Sequence, residues 1–264
     1  MNKTTQLKKL LLQRKALPCP GVYDALSARM VEYCGFQACQ ISGFGVSASS
    51  LGMTDASFTS LEEIVRITSN IVRAVDIPVM TDADTGYGNA VNVWWTTKRL
   101  EETGAAGMNL EDQCFPKRCG HMAGKQLISL GEMVGKIRAA VDAKRDPDFV
   151  INARTDAAYV CGIEEAIRRG NAYLEAGADM VFVESPASAE EVKRAIEQIK
   201  GPVSINMLEG GRTPMLTFEE LRQLGAARVS CPMFTSLIAA YALQKGLSYL
   251  MEHGTSSGFE EHMS

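Results

Sequence analysis

Short apolar runs alternate with amphipathic stretches along the chain, in one order from end to end. The apolar runs are Ala16–Val22, Ala38–Ser42, Pro78–Asp82, Gly107–Glu111, Phe149–Arg154, Met180–Glu184, Val203–Asn206 and Arg228–Pro232. Each is short enough for a buried strand and is followed by a stretch with helical spacing, such as Asp24–Cys34, Leu61–Val75, Val91–Thr103 and Ile163–Ala176. In the second of these, Leu61, Ile64, Val65 and Val72 form one stripe. The phrases GFQA, GAAG, GADM and GAAR precede strands and set Gly just past a helix end, where a left-handed C-cap is needed. An amphipathic helix, MNKTTQLKKLLLQRK, comes before the first strand. Eight strand–helix units predict a single α/β domain over residues 1–264, a TIM-type (β/α)8 barrel with an N-terminal helix. No GxGxxG follows the first strand, which counts against a dinucleotide-binding sheet. The longest connections, Gly43–Ser60 and Asp112–Ser129, read as functional loops, and the tail from Gly254 reads as frayed.

Composition narrows the classes. The 264 residues are 46% hydrophobic with a formal net charge of −4, and no basic run exceeds a pair such as Lys117-Arg118, so nucleic acid and anionic membrane are not expected partners. The seven cysteines are odd in number and form no C-x-x-C pair, which points to a reducing cytoplasm rather than a disulfide framework. Cys19, Cys34, Cys39, Cys161 and Cys231 read as core packing, Cys114 as open between packing and loop. Trp94-Trp95 reads as packing or subunit contact, and His253 and His262 as solvated surface.

Barrel chemistry sits at the carboxyl ends of the strands. Here those ends are Ser42-Gly43, Asp82-Ala83-Asp84, Glu111-Asp112, Arg154-Thr155-Asp156, Glu184 and Asn206, which brings six acids, one Arg and one Asn to one mouth. Asp82 and Asp84, with Glu111 and Asp112 across the mouth, suit a hard divalent ion with carboxylate oxygens and waters, and Mg2+ fits better than zinc or copper because no thiolate or imidazole cluster is near. The plainer reading is a ring of acids capping barrel helices. On the long loop after the fourth strand, FPKRCGHM sets Cys119 among Lys117, Arg118 and His121, a field that favours the thiolate and suits a nucleophile or an acid brought in by a closing lid.

The motifs KRCGH, TDADTGYG, NLEDQ, NARTDA and NMLEGGRTP resemble the isocitrate lyase and phosphoenolpyruvate mutase superfamily over nearly the whole chain, and KRCGH resembles the signature of its carbon–carbon lyase branch. DPDFVINARTDA is similar to 2-methylisocitrate lyases, GVYDALSAR and NMLEGG to the 2,3-dimethylmalate lyase side. The resemblance implies Mg2+, with Mn2+ as a substitute, on Asp82 and Asp84, and Glu111 and Asp112 holding its waters. It implies a substrate carboxylate at Ser42, Gly43 and Arg154, the other half at Glu184 and Asn206, and Cys119, Gly120 and His121 opposite. The implied reaction is a retro-aldol cleavage in which Cys119 protonates the departing carbanion. A homotetramer, a dimer of dimers exchanging the eighth helix, is implied as well.

The departures concern substrate. Gln40 stands where methylisocitrate lyases carry Tyr, Phe44 where they carry Gly, and Leu237 near the place of an Arg; their further Arg lies in an extension beyond this sequence. A third carboxylate needs such a cation, so a small 2-hydroxy dicarboxylate is expected. The alternatives are a phosphonomutase, an oxaloacetate hydrolase, or a barrel that binds a dicarboxylate without turnover.

Overall fold

The computed structural model describes residues 1–118 and 124–259. Its centre is a closed barrel of parallel strands in sequence order: β1 (Leu17–Val22), β2 (Cys39–Ile41), β3 (Val79–Asp82), β4 (Gly107–Glu111), β5 (Val150–Thr155), β6 (Met180–Val183), β7 (Val203–Asn206) and β8 (Arg228–Cys231), with β8 pairing back on β1. Every expected strand is present, most of them one or two residues shorter than the apolar run that marks it. Around them lie α2 (Ala25–Tyr33), α4 (Leu61–Ala74), α5 (Ala90–Glu101), α6 (Leu130–Ala143), the short α7 (Ala157–Val160), α8 (Ile163–Glu175), α9 (Ala189–Gln198) and α10 (Phe218–Leu224). Of the stripe foreseen in α4, Ile64 and Val72 are buried while Leu61 and Val65 are half-buried against the same core, and Ile67 and Ile71 complete the packing face. Gly35, Gly104, Gly177 and Gly225 all have positive φ where their helices give way to a strand.

The amino end of the barrel is sealed by α1 (Lys3–Leu12). Its buried positions Thr4, Leu7 and Leu11 recur at three- and four-residue spacing, so one stripe meets the first residues of the strands: Leu17, Ala38, Met80, Ala106, Val150, Met180 and Ala227. Burying Leu7 and Leu11 contributes about 2 kcal/mol each by area. Lys3 Nζ donates to the carbonyls of Val72 and Val75, and Thr4 and Thr5 donate to Asp146 and Asp148, which pins the plug from two sides.

One element departs from expectation. The connection after β2 begins with a helix, α3 (Gly43–Leu51), because Ser42 caps it, its Oγ accepting from Gly45 N at 3.1 Å. The last helix, α11 (Phe234–His253), is 20 residues long and buries none of them against the described chain. Phe234, Leu237, Ile238, Tyr241, Leu243, Leu247, Leu250 and Met251 are all exposed on it. Of the cysteines, Cys19 and Cys39 are buried as expected, whereas Cys34 and Cys161 are exposed, since each is the capping residue where a helix ends at the surface. Trp95 is half exposed; the buried face of α5 is carried by Val93, Thr96, Thr97 and Leu100 instead. Among the described residues no helix is long and apolar enough to cross a membrane.

Candidate active site

A cavity of about 60 Å³ opens at the carboxyl ends of the strands, lined by Gln40, Ser42, Gly43, Phe44, Asp55, Asp82, Asn109, Lys117, Arg154, Phe182, Glu184, Asn206, Leu208, Pro232 and Met233.

Period-two alternation decides which acids face it. The register pairs Glu111 of β4 with Arg154 of β5, so the two side chains point the same way. Arg154 Nε lies 3.4 Å from Glu111, its Nη1 3.4 Å from Glu184, and its Nε donates to Asp156 at 3.0 Å. Burial alone would lower the pKa of this guanidinium, but Asp156, Glu111 and Glu184 together hold it well above its usual value. Asn206 Nδ2 approaches both Glu184 oxygens at 3.4 Å and its Oδ1 accepts from Ser230 at 2.7 Å, which fixes the amide's orientation. Lys125, from the loop after β4, donates to Asp156 at 2.7 Å on the far side of Arg154.

Asp112, one residue past Glu111, points the other way. Its carboxylate accepts from Thr155 Oγ1 and Tyr173 OH at 2.7 Å each, from Asp156 N at 2.9 Å and from Arg169 Nη1 at 3.0 Å. Thus Asp112, expected to hold a metal's waters, is instead a buried tie between β5 and α8, because adjacent residues of a strand face opposite sides.

A second cluster forms on β3 and the loop after α3. Lys117 Nζ is buried 2.5 Å from Asp84, 2.9 Å from Asp55 and 4.0 Å from Asp82. Lys117 was expected in the field of Cys119, which lies outside the described residues; its ammonium meets these three carboxylates. Burial would lower its pKa, yet Asp84, Asp55 and Asp82 raise it well above normal. Burial pushes Asp84 up to about 7 against the pull of Lys117, and pushes Glu111 well above the carboxylate range against Arg154 and Lys117. Three residues of these loops, Ser57, Asp84 and Tyr87, have positive φ without being glycine. Gly43 is required at the start of α3: a Cβ there would lie 2.5 Å from Asp82 Oδ2.

The donor set fits a hard divalent cation. Asp82, Asp84, Asp55 and Glu111 offer only oxygen, and Glu111 Oε1 is buried with no hydrogen-bond partner. Among the described residues no three His, Cys, Asp or Glu side chains are gathered closely enough to hold a metal ion by themselves. Cys119, Gly120 and His121 lie outside the described residues. Asp55 was missed by the sequence reading, although a carboxylate inside a long loop after a strand was the available signal. Asn109 was missed as a pocket wall, since it carries no charge, while Gln40, named above as a departure that concerns substrate, lines the cavity.

Fold and site together define a (β/α)8-barrel enzyme whose mouth is acidic and threaded by buried cations. Residues 7–251 match the family described as phosphoenolpyruvate phosphomutase. The chain belongs to the phosphoenolpyruvate mutase/isocitrate lyase superfamily, as the motifs implied. It is 45% identical to the 2,3-dimethylmalate lyase of Eubacterium barkeri, over 100% of this chain and 91% of that protein. It is 43% identical to the 2-methylisocitrate lyase of Aeropyrum pernix, over 94% of this chain and 80% of that one. Among solved structures, oxaloacetate acetylhydrolase with 3,3-difluorooxalacetate superposes with a TM-score of 0.93 at 35% identity, covering 97% of this chain and 88% of that chain. Phosphonopyruvate hydrolase with oxalate and Mg2+ gives 0.88 at 30% identity, covering 97% and 89%. The chain is therefore an enzyme of a family that cleaves carbon–carbon bonds, while relatives of similar likeness act on different substrates.

Proposed function

We propose that this enzyme is a Mg2+-dependent lyase that cleaves a small 2-hydroxy dicarboxylate, 2,3-dimethylmalate-like or methylisocitrate-like, into an α-keto acid such as pyruvate and a second carboxylate. One observation carries the reading. Of the two cations that line the cavity among the described residues, Lys117 is held at 2.5 Å and 2.9 Å by Asp84 and Asp55, whereas Arg154 is paired closely with Asp156 alone and meets Glu111 and Glu184 at 3.4 Å, which makes Arg154 the cation placed to meet an anionic substrate. Arg154 and the amino end of α3 with Ser42 provide for two carboxylates rather than three. The apolar wall of Phe44, Leu208, Pro232 and Met233 suits alkyl groups.

In this reading Asp82 and Asp84 would hold Mg2+, Glu111 would support it, and Lys117 would balance the excess negative charge. The ion supplies Lewis acidity at the substrate's 2-oxygen. Ser42 Oγ accepts from Gly45 N and keeps its own proton to donate to a carboxylate. Arg154, locked between Glu111, Asp156 and Glu184, orients the substrate without reorganising. Glu184 and Asn206 hold the departing half, and Cys119 delivers the proton that quenches its carbanion. We further assign the chain to a homotetramer whose protomers exchange α11, a helix with no buried residue of its own.

The test is keto-acid release from a panel of 2-hydroxy di- and tricarboxylates with Mg2+, for the wild type and Cys119→Ser. Pyruvate from dimethylmalate, lost in the variant, is the expected result. Oxalate and acetate from oxaloacetate would favour the hydrolase reading that the likeness to oxaloacetate acetylhydrolase supports. No turnover of any of them would overturn the proposal.

A further inference from the structure

Arg228 is the largest fully buried side chain among the described residues, and none of its contacts is a carboxylate. Its Nε donates to Ser204 Oγ at 2.9 Å and its Nη1 to Met80 Sδ at 2.8 Å; its Cζ lies 5.6 Å from the Phe182 ring centroid, and Nη2 has no hydrogen-bond partner. A buried charge without a counter-ion is expensive, and a guanidinium keeps its proton even so. Burial does pull its pKa down, while Cys19 and Asp82 pull it back up.

The three residues that hold Arg228 share one property. Met80 precedes Asp82 by two on β3, Ser204 precedes Asn206 by two on β7, and Phe182 precedes Glu184 by two at the end of β6. With the period of a strand, each is the inward residue one layer beneath a residue of the mouth. The guanidinium therefore lies directly under the site floor, and Phe182, which lines the cavity, also has the Arg154 guanidinium 5.4 Å from its ring. Above that floor, Asp55, Asp82, Asp84, Glu111, Asp156 and Glu184 outnumber the cations Lys117, Lys125 and Arg154.

We infer that Arg228 is an electrostatic positioning residue: a permanent cation one layer below the mouth that offsets the acids above it, weakening the site's grip on a divalent cation and strengthening its grip on an anionic ligand. The inference rests on the proposed metal and carboxylate site and adds a residue that touches neither. It also fixes a sign. A cation beneath the floor repels the metal and attracts the anion, so removing it moves the two affinities in opposite directions. Loss of a merely space-filling side chain would loosen the site and weaken both.

The test uses the full chain as wild type, Arg228→Met, Arg228→Gln and Arg228→Lys. Mn2+ binding is read from the electron paramagnetic resonance of the free ion, and oxalate binding to the Mn2+-saturated protein by calorimetry. Expected are Mn2+ binding about threefold or more tighter and oxalate binding about threefold or more weaker in both neutral variants, with Arg228→Lys close to wild type. Unchanged constants in the neutral variants, or both constants weakening together, would overturn the inference. So would unfolding of both neutral variants beside a folded Arg228→Lys, since the charge would then serve the core. A wild type that binds no Mn2+ would sink the proposed function beneath it, a failure distinct from one in which wild type and variants bind alike.

Discussion

Asp112 shows how much one residue of register decides. Glu111 and Asp112 are both acidic and both end the same strand, yet one faces Arg154 in the mouth and the other serves Tyr173, Thr155 and Arg169 behind the barrel wall. Replacing Asp112 with Asn leaves Arg169 short of a buried counter-charge, and about 3 kcal/mol of stability is expected to go. Mn2+ affinity is expected to stay where it was, because the carboxylate does not face the site. Chemical denaturation and metal titration of Asp112→Asn read the two effects separately; a metal affinity that falls while stability holds would return Asp112 to the ligand set. The sequence displayed the acids but not their facing, since a pair of adjacent carboxylates at a strand end can start from either side. The cysteines teach the same point: Cys19 and Cys39 sit within strands and are buried, while Cys34 and Cys161, in equally apolar surroundings, fall at helix ends and are exposed.

At the scale of elements the barrel was legible nearly throughout, because eight apolar runs and four Gly-marked helix ends repeat one phrase. The helix α3 was not. GFGVSASSL is rich in Gly and Ser, which reads as loop, and it is the cap at Ser42 with the packing of Val46 and Ser47 that makes it helical. The same glycines serve the site. In Gly43→Ala the new methyl would collide with Asp82 Oδ2, and shifting that carboxylate by a fraction of an ångström is expected to cut metal-dependent turnover roughly 100-fold. The melting temperature should barely move, as Ala is a better helix former than Gly. Steady-state kinetics beside a thermal melt checks this; full activity in Gly43→Ala would mean that the carboxylate has room the structure does not give it. Lys117 was legible as a cation and illegible as the partner of Asp55, because the two are 62 positions apart and meet only when both loops fold over β3.

On the scale of the molecule, α11 stands out as an element with no interior of its own. Leu243 and Leu247 lie one turn apart on it and are 64% and 62% exposed. The proposed exchange predicts that sedimentation gives a mass above that of one chain, and that Leu243→Glu with Leu247→Glu returns the protein to single chains; a monomeric wild type would refute the exchange. The opposite end of the barrel has a different dependence. The helix α1 is held by Val72 and Val75, by Asp146 and Asp148, and through Lys8 by Asp179. These anchors are spread over more than a hundred positions of later sequence, so the set is complete only once Asp179 has been made. During synthesis α1 must wait for the later anchors, and the plug that closes the barrel is among the last pieces to settle although its residues are made before those of any strand.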